Sequence, residues 1–68
     1  MNLHLITGGS GYVGSHISKR LLELGERVRI MDLWKEADLD PNIEFFKGDV
    51  TNPEDVIKAL EGVNYVHH

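Results

Sequence analysis

Short apolar runs alternate with stretches of helical periodicity along this chain of 68 residues. The first run, 3–7, leads into a glycine-rich turn, which predicts a strand buried on both faces. Residues 12–24 follow with apolar side chains spaced by four, four and three, which places them on one face of a helix. Gly25 lies just beyond that face, where a helix C-cap requires a positive φ. The apolar positions of the helix are Val13, Ile17, Leu21 and Leu24.

The same alternation continues in the second half of the chain. Residues 27–31 alternate polar and apolar side chains, and the runs 43–47 and 63–66 are also short and apolar, so we expect three further strands. The segment 34–42 is rich in acidic residues and predicts a solvated loop with room for one helical turn.

A second helix is predicted to begin near Asn52. Asn is a preferred N-cap, and Pro53 suits the first helical position because its missing N–H would be unpaired there anyway. Gly62 is expected to end the helix. Its buried face would comprise Val56, Ala59 and Leu60.

The predicted order is strand, helix, strand, loop, strand, helix, strand. This alternation is typical of parallel sheets that are crossed over by helices. The fold class is therefore α/β, with about four parallel strands and two helices forming part of a doubly wound sheet that has six strands in its complete form. No linker divides the sequence, so we treat it as one unit and expect the strand order third, second, first, fourth.

Charge and composition exclude several classes of partner. The chain has 7 Lys and Arg against 11 Asp and Glu, a net charge of −4, and no basic cluster, which argues against nucleic-acid and membrane surfaces. It has no cysteine, which excludes Cys-ligated metal sites and favours a cytoplasmic protein over a small secreted one. No signal peptide and no membrane-spanning run is visible.

The segment between the first strand and the first helix is rich in glycine. Gly9, Gly11 and Gly14 fit the spacing G-x-G-x-x-G, and Gly8 offers a second register with the last two. In either register an early glycine permits the tight turn, Gly11 allows a pyrophosphate to approach the backbone, and Gly14 lets the helix pack closely on the sheet. A purely structural turn is the alternative, and the lack of a following Lys excludes a Walker A loop. Amides of Gly11, Tyr12 and Val13 would face the anion.

A carboxylate follows the glycine turn at a suitable distance. Asp32 ends the second strand, 18 residues after Gly14. There it can accept both ribose hydroxyls of an adenosine and repel a 2′-phosphate, which favours NAD over NADP. Lys35 could instead reach a 2′-phosphate, and Trp34 could either flank the adenine or pack on the second strand.

Taken in series, these residues resemble a known family. The segment 7–14 looks like the cofactor signature of the extended short-chain dehydrogenase/reductases, the nucleotide-sugar epimerase and dehydratase superfamily to which UDP-glucose 4-epimerase belongs. The resemblance implies a Rossmann domain with NAD as cofactor, in which Asp32 holds the adenosine ribose, and Asp49 with the amide of Val50 contacts the adenine. It also implies that 63–68 opens a fourth strand beside the cofactor. The implied cofactor-binding residues are Gly8, Gly11, Tyr12, Val13, Gly14, Asp32, Asp49 and Val50.

The catalytic pair of the family has no counterpart in these residues. The family uses a Tyr followed four residues later by a Lys, whereas His16 stands four residues after Tyr12 and Tyr65 lies three residues from the last position. The resemblance thus implies that 1–68 is the N-terminal part of an NAD-binding domain, without the substrate domain and inactive by itself. Two alternatives are a small non-catalytic nucleotide-binding or oligomerising module, and a piece of a reductase or hydroxysteroid-type dehydrogenase.

The last strand and the histidines complete the sequence-based expectations. The fourth strand would lie at an edge of the sheet, so we expect self-association there, as a two-fold dimer. His67 and His68 are adjacent in a strand and point to opposite faces, so we expect no metal site.

Overall fold

The computed structural model describes residues 1–8 and 12–68, with the backbone alone at residues 12 and 13. Within these residues the chain alternates strands and helices as the hydrophobic pattern predicts. The elements are β1 (Leu3–Thr7), α1 (Tyr12–Glu23), β2 (Arg27–Asp32), β3 (Glu44–Lys47), α2 (Pro53–Ala59) and β4 (Tyr65–His67). Neither described helix has the length and apolar character needed to cross a bilayer.

The described strands form one parallel sheet in the order β3-β2-β1-β4, which confirms the predicted fold class and strand order. In the register, Ile6 of β1 pairs with Ile30 of β2 on one side and with His67 of β4 on the other. Since all strands are parallel, their carboxyl ends meet at one edge of the sheet. The partial Rossmann arrangement thus brings the segments after β1, β2, β3 and β4 together.

Helix α1 covers one face of the sheet. The buried residues Ile6, Val28 and Ile30 form a cluster there, against which helical side chains pack. The predicted inward position of Leu24 is wrong, because its side chain is 61% exposed. Val13, also predicted to point inward, lies outside the described side chains. The helical residues of this core are Ile17, Leu21 and Leu22.

The end of α1 explains why Leu24 is exposed. Gly25 has φ +81°, as the sequence predicts, and its amide donates to the carbonyl of Leu22 over 3.0 Å. The amide of Glu26 donates to the carbonyl of Leu21, also over 3.0 Å. Together these bonds form a Schellman cap, which turns the chain away from the helix axis after Leu24.

Helix α2 covers the other face, where Leu5, Met31 and Ala59 form the buried cluster. The predicted N-cap is confirmed, since the side chain of Asn52 accepts from the amide of Glu54 over 3.0 Å. Leu60 was expected in the buried face, but it is the C-cap of the short helix and is 38% exposed. Gly62 follows with φ +77°, while Phe46, Val56 and Val63 complete this core.

The two later strands differ slightly from their predicted bounds. β3 begins at Glu44, because the amide of Ile43 instead closes a turn onto the carbonyl of Asp40 over 3.0 Å. β4 begins at Tyr65 and includes His67, two residues later than the predicted 63–66. The connection 33–43 contains turns and no helical turn, although the sequence was compatible with one. Within it, Leu39 packs on the α1 core.

Asn64 accounts for the later start of β4. Its side-chain oxygen accepts from the amide of Leu3 over 2.9 Å, and its own amide donates to the carbonyl of Leu3 over 2.8 Å. A side chain therefore occupies the first ladder position between β1 and β4.

Arg29 ties α2 to the sheet. Its Nη1 donates to the carbonyls of Ala59 and Glu61 over 2.6 and 2.8 Å. Its Nε and Nη2 donate to Oε1 of Glu44 over 3.1 and 2.9 Å. The guanidinium therefore satisfies carbonyls at the C-terminal end of α2, where the helix dipole favours a positive charge, and joins β2 to β3 at the same time.

Candidate functional site

The carboxyl edge of the sheet contains a reversal in the path of the chain. From β1 the chain passes to β2 on one side, and from β3 it returns to β4 on the other side of β1. Such a switch point leaves a crevice where parallel sheets bind ligands. A groove of about 220 Å³ lies there between β1, β4 and the start of α1. Its lining residues are Ile6, Thr7, Gly8, Gly14, Ile17, His67 and His68.

Gly8 makes the turn out of β1. Its φ is +66°, and its amide donates to the carbonyl of Met31 over 2.9 Å. An added Cβ would meet no atom within 4 Å, so the requirement for glycine comes from the backbone angle and not from crowding. The predicted role of an early glycine in the turn agrees with this geometry.

The next three residues, including the predicted contact at Gly11, lie outside the described residues. Helix α1 begins at Tyr12, and its first turn holds no acidic side chain. Gly14 is buried and lines the groove. A helix N-terminus has unpaired amides and a positive dipole end, so this first turn offers donors for an anion. The pyrophosphate contacts of Gly11, Tyr12 and Val13 stay predictions.

Asp32 ends β2 at the same edge of the sheet. Its Oδ1 accepts from the amide of Leu33 over 2.7 Å, and its carbonyl accepts from the amide of Gly48 over 3.1 Å. The first bond orients the carboxylate beside the following loop, and the second joins the ends of β2 and β3. Its ribose contact stays a prediction, and Trp34 nearby in sequence is 78% exposed.

The connection after β3 depends on Gly48. A Cβ at this buried position would lie 2.9 Å from Cε1 of Phe46 and 3.1 Å from Sδ of Met31. It would also lie 3.2 Å from Cβ of Asp55. Only glycine therefore lets the chain pass between the sheet and α2 to reach the site edge.

Asp49 follows Gly48 and is held by its own segment. Its Oδ1 accepts from the hydroxyl of Thr51 over 2.7 Å and from the amide of Thr51 over 2.8 Å. These two bonds, with the hydroxyl contributing most, hold the pKa of Asp49 below its ordinary value of 3.8. The adjoining Val50 is 48% exposed. Since Oδ1 already accepts two donors, the predicted adenine contact would fall to Oδ2 or to the amide of Val50.

The β4 side of the groove carries imidazoles that sequence reasoning did not assign to the site. Nδ1 of His68 lies 2.7 Å from Oγ1 of Thr7, and Nε2 of His67 lies 2.9 Å from Nδ1 of His4. The sequence signal for this arrangement was one histidine in the first strand, His4, and two histidines in the last strand, His67 and His68. The described residues hold no group of three or more side chains suited to a metal ion.

A second groove, of about 290 Å³, lies beside the amino-terminal parts of β2 and β3. Its lining includes Arg27 and Glu44, whose side chains approach to 3.4 Å, so the carboxylate there is already paired. Parallel sheets of this kind bind their ligands at the opposite edge. The groove between β1 and β4 is therefore the stronger candidate.

Residues 4–68 match the sequence model of the NAD dependent epimerase/dehydratase family. The chain belongs to this family. The family resemblance predicted from the glycine turn, Asp32 and Asp49 is thereby confirmed, and the family's dependence on NAD agrees with the cofactor that the sequence predicts.

Similar proteins include both epimerases and sterol dehydrogenases. This family member is 41% identical over 63 residues to the sterol-4-alpha-carboxylate 3-dehydrogenase, decarboxylating, of Mus musculus, over 93% of this chain and 17% of that protein. It is 36% identical over 76 residues to the UDP-glucose 4-epimerase of Rickettsia rickettsii, over 94% of this chain and 22% of that protein.

A solved structure gives the same view of the fold. The UDP-glucose 4-epimerase of Thermus thermophilus, in complex with NAD, superimposes with a TM-score of 0.78 and 34% identity. That match covers 87% of this chain and 20% of the epimerase chain. The 68 residues therefore correspond to a small share of the relatives' length, in the Rossmann part of their fold.

Proposed function

We propose that residues 1–68 bind the ADP half of NAD, as the N-terminal part of the NAD-binding domain of an epimerase- or dehydrogenase-type enzyme. The observation that carries this proposal is the convergence of Gly8, the start of α1, Asp32 and the Asp49 segment at the carboxyl edge of the sheet. Each of these segments follows a strand at the switch point where such sheets bind nucleotides.

The pyrophosphate would lie at the start of α1. The glycine turn gives the phosphates access to the backbone, and the amides of the first helical turn donate to their oxygens. The absence of acidic side chains in the described first turn supports this role, because a carboxylate there would compete with the anion.

The adenosine would lie across the ends of β2 and β3. Asp32 would accept the two ribose hydroxyls, and the segment of Asp49 and Val50 would contact the adenine. The bond from Gly48 to the carbonyl of Asp32 supports this assignment, because it keeps the two segments side by side. An ionised carboxylate at Asp32 also disfavours the 2′-phosphate of NADP.

Bound NAD supplies a hydride acceptor, which in this family takes hydride from a substrate carbon. The residues present here bind and orient the cofactor, and we assign the proton transfers and the substrate domain to other parts of a longer protein. Tyr12 is followed by His16 in place of a Lys, so the described residues supply no acid–base pair of the family type. The 68 residues alone are therefore proposed to be inactive.

Two substrate classes fit the relatives. A nucleotide sugar suits the epimerase relatives, and a sterol or hydroxysteroid suits the sterol dehydrogenases, of which the mouse enzyme is 41% identical, against 36% for the Rickettsia rickettsii epimerase. Both reactions begin with hydride transfer from a secondary alcohol to NAD. An assay of a longer chain with a UDP-sugar and with a 3β-hydroxysteroid distinguishes the two, because only one should be turned over.

Self-association is a second role supported by the position of β4. This strand is the last in the sheet order, and Tyr65 and Val66 are 54% and 53% exposed. An edge with exposed apolar side chains favours pairing with another copy in a two-fold dimer. Sedimentation equilibrium tests this role, since a monomer of 7.7 kDa at all concentrations would contradict it.

The cofactor assignment is tested by comparing NAD with NADP. Asp32→Ala should weaken NAD binding about tenfold and leave NADP binding nearly unchanged, since it removes a charged acceptor and also a repulsion. Asp38→Ala is the matched control, because it removes the same charge from an exposed position in the loop after β2. If the parent chain already prefers NADP, Lys35 determines the choice and the role given to Asp32 is wrong.

A further inference from the structure

A row of three titratable side chains crosses the α1 face of the sheet beside the proposed site. His4, buried in β1, places Nε2 3.2 Å from Oε1 of Glu26 and Nδ1 2.9 Å from Nε2 of His67. The two imidazole rings are 5.2 Å apart at their centroids, with an angle of 25° between their planes. Nearly coplanar rings at this separation suit a hydrogen bond in the ring plane. The row is therefore continuous from Glu26 to His67.

Glu26 fixes the direction of the hydrogen bonds. Its Oε2 accepts from the amide of Asn2 over 2.9 Å, and this bond, followed by that of His4, holds the pKa of Glu26 below its ordinary value of 4.5. The carboxylate is thus ionised at neutral pH and can only accept, so Nε2 of His4 donates to it. In the neutral imidazole Nδ1 of His4 must then accept, and Nε2 of His67 carries the proton between the rings.

One further proton can enter this row without breaking a hydrogen bond. It binds Nδ1 of His67, while the proton on Nε2 of His67 moves to Nδ1 of His4. The positive charge then lies on His4 beside the Glu26 carboxylate, and the row changes from a net charge of −1 to zero. A second proton would set two N–H groups against each other. Imidazoles as a class change charge between about pH 5 and 8, which sets the pH range over which this step is tested.

His67 connects this row to the groove. It lines the groove with Gly8 and Gly14, which stand at the two ends of the glycine turn proposed to receive the pyrophosphate. A pyrophosphate diester is a dianion, so a row without net charge accommodates it better than a row with a charge of −1. We propose that the row of Glu26, His4 and His67 holds its one further proton more tightly when the groove binds a pyrophosphate ligand, which makes cofactor binding tighter at lower pH. This inference rests on the proposed function.

The residues packed directly against the row carry no charge, so its net charge is set mainly by Glu26, His4 and His67. From β4, Tyr65 packs beside His4 with ring centroids 5.1 Å apart, and from β2 the register partner of His4 is the apolar Val28. The residues of α1 that line the groove, Gly14 and Ile17, carry no charge. Among the other titratable groups, His68 contacts Thr7, and His16 of α1 is exposed. Arg29 points to the opposite face, where it contacts α2, and both Arg27 and Arg29 contact Glu44.

Calorimetric titration of the chain with ADP-ribose between pH 8 and 5.5 tests this coupling. ADP-ribose is the appropriate probe, because its pyrophosphate diester does not titrate in this range, whereas the terminal phosphate of ADP does. We expect the affinity to rise about fivefold to tenfold as the pH falls. Titrations in two buffers of different ionisation enthalpy should show net proton uptake, which for a fivefold to tenfold change in affinity reaches about 0.4 to 0.5 proton for each ligand bound at the midpoint. This proton count uses the parent chain and needs no variant.

Variants assign the proton to the row. His67→Phe keeps a ring but removes the nitrogen at which the proton enters and the hydrogen bond that passes charge to His4, so the ratio of affinities at the two pH values should fall toward one. Glu26→Gln keeps an acceptor but removes the charge that stabilises the protonated row, so the transition should move to lower pH. His16→Gln is the control and should retain the pH dependence of the parent, since it removes an exposed imidazole outside the row.

The outcomes separate this inference from the proposed function. If ADP-ribose fails to bind at every pH, the proposed function is wrong. If it binds with the same affinity throughout the range, or if His67→Phe retains the dependence of the parent, the proposed function survives and the proton-linked row is wrong.

Discussion

Strands β3 and β4 border the same central pair of strands, yet they are held in different ways. Four residues of β3 pair with β2, and Arg29 joins this flank to the end of α2 through a guanidinium that is always charged. Three residues of β4 pair with β1, and the flank is completed by the side chains of Asn64, His67 and His68.

We infer from this difference that the β3 flank mainly stabilises the fold, whereas the β4 flank mainly lines the ligand groove. The β3 flank is joined to the rest of the fold by the Arg29 guanidinium, which contacts both the end of α2 and Glu44. The β4 flank lines the groove with the imidazoles of His67 and His68. We therefore expect variants of the β3 flank to alter stability most, and variants of the β4 flank to alter stability less and binding more.

The largest effect should follow removal of the Arg29 guanidinium. Arg29→Met would leave the carbonyls at the end of α2 without their side-chain donor and remove two of the hydrogen bonds to Glu44, lowering the free energy of unfolding by about 2–4 kcal/mol. Urea denaturation measures this loss. If the Met variant does not fold, Arg29→Lys is measured instead, because it keeps the charge but not the fork of donors.

Arg27→Met is the matched control for Arg29. Arg27 lies on the same strand and contacts the same carboxylate, but its side chain is 56% exposed, against 13% for Arg29. Its loss should cost less than about 1 kcal/mol. Equal losses at the two positions would contradict the anchoring role of Arg29.

A smaller effect is expected at the start of β4. Asn64→Ala removes the acceptor for the amide of Leu3 and should lower the free energy of unfolding by about 0.5–1.5 kcal/mol. Asn42→Ala, at an exposed turn where the backbone amide of Asn42 makes the hydrogen bond, should cost less. A loss at Asn64 larger than that at Arg29 would reverse the proposed ranking of the flanks.

The smallest effect concerns acid stability through Glu26. Its pKa is lower in the folded chain than its ordinary value of 4.5, so the ionised carboxylate stabilises the fold above that pH, and the contribution is lost as the pH falls below it. The difference in urea midpoint between the parent and Glu26→Gln should therefore shrink below pH 4.5. Glu36→Gln, in the exposed loop, should show no such trend. A difference that grows on acidification would contradict the assignment.

Much of the fold could be predicted because its signals are local. The Asn52–Pro53 start of α2 and the glycine at position 25 carry their own stereochemistry, so both were predicted correctly. The convergence of Asp32 with the turn after β1 also follows from sequence, because parallel strands end at one edge of the sheet.

The incorrect predictions concern the ends of elements. Leu24 and Leu60 continue the apolar period of their helices, but each lies at a C-cap, where the chain leaves the helix axis. The late start of β4 could not be read from 63–66, because the side chain of Asn64 takes a ladder position by bonding a residue 61 positions away.

Contacts between residues far apart in the sequence could not be predicted either. Arg29 reads as an ordinary polar residue of an alternating strand, and its carbonyl partners lie 30 and 32 residues later. The pairing of His4 with His67 spans 63 residues and depends on the register between β1 and β4. A strand order can be inferred from a pattern, whereas a register of this precision requires the packed structure.

Chemical-shift mapping with ADP-ribose tests the central claim most directly. Amide spectra of the chain should show shifts concentrated at residues 8–14, 32–33 and 49–50, with much smaller shifts at 41–44, beside the second groove. Asp32→Ala should reduce these shifts at a given ligand concentration, and Asp38→Ala should not. Shifts spread evenly over the chain, or concentrated at 41–44, would contradict a nucleotide site at the carboxyl edge of the sheet.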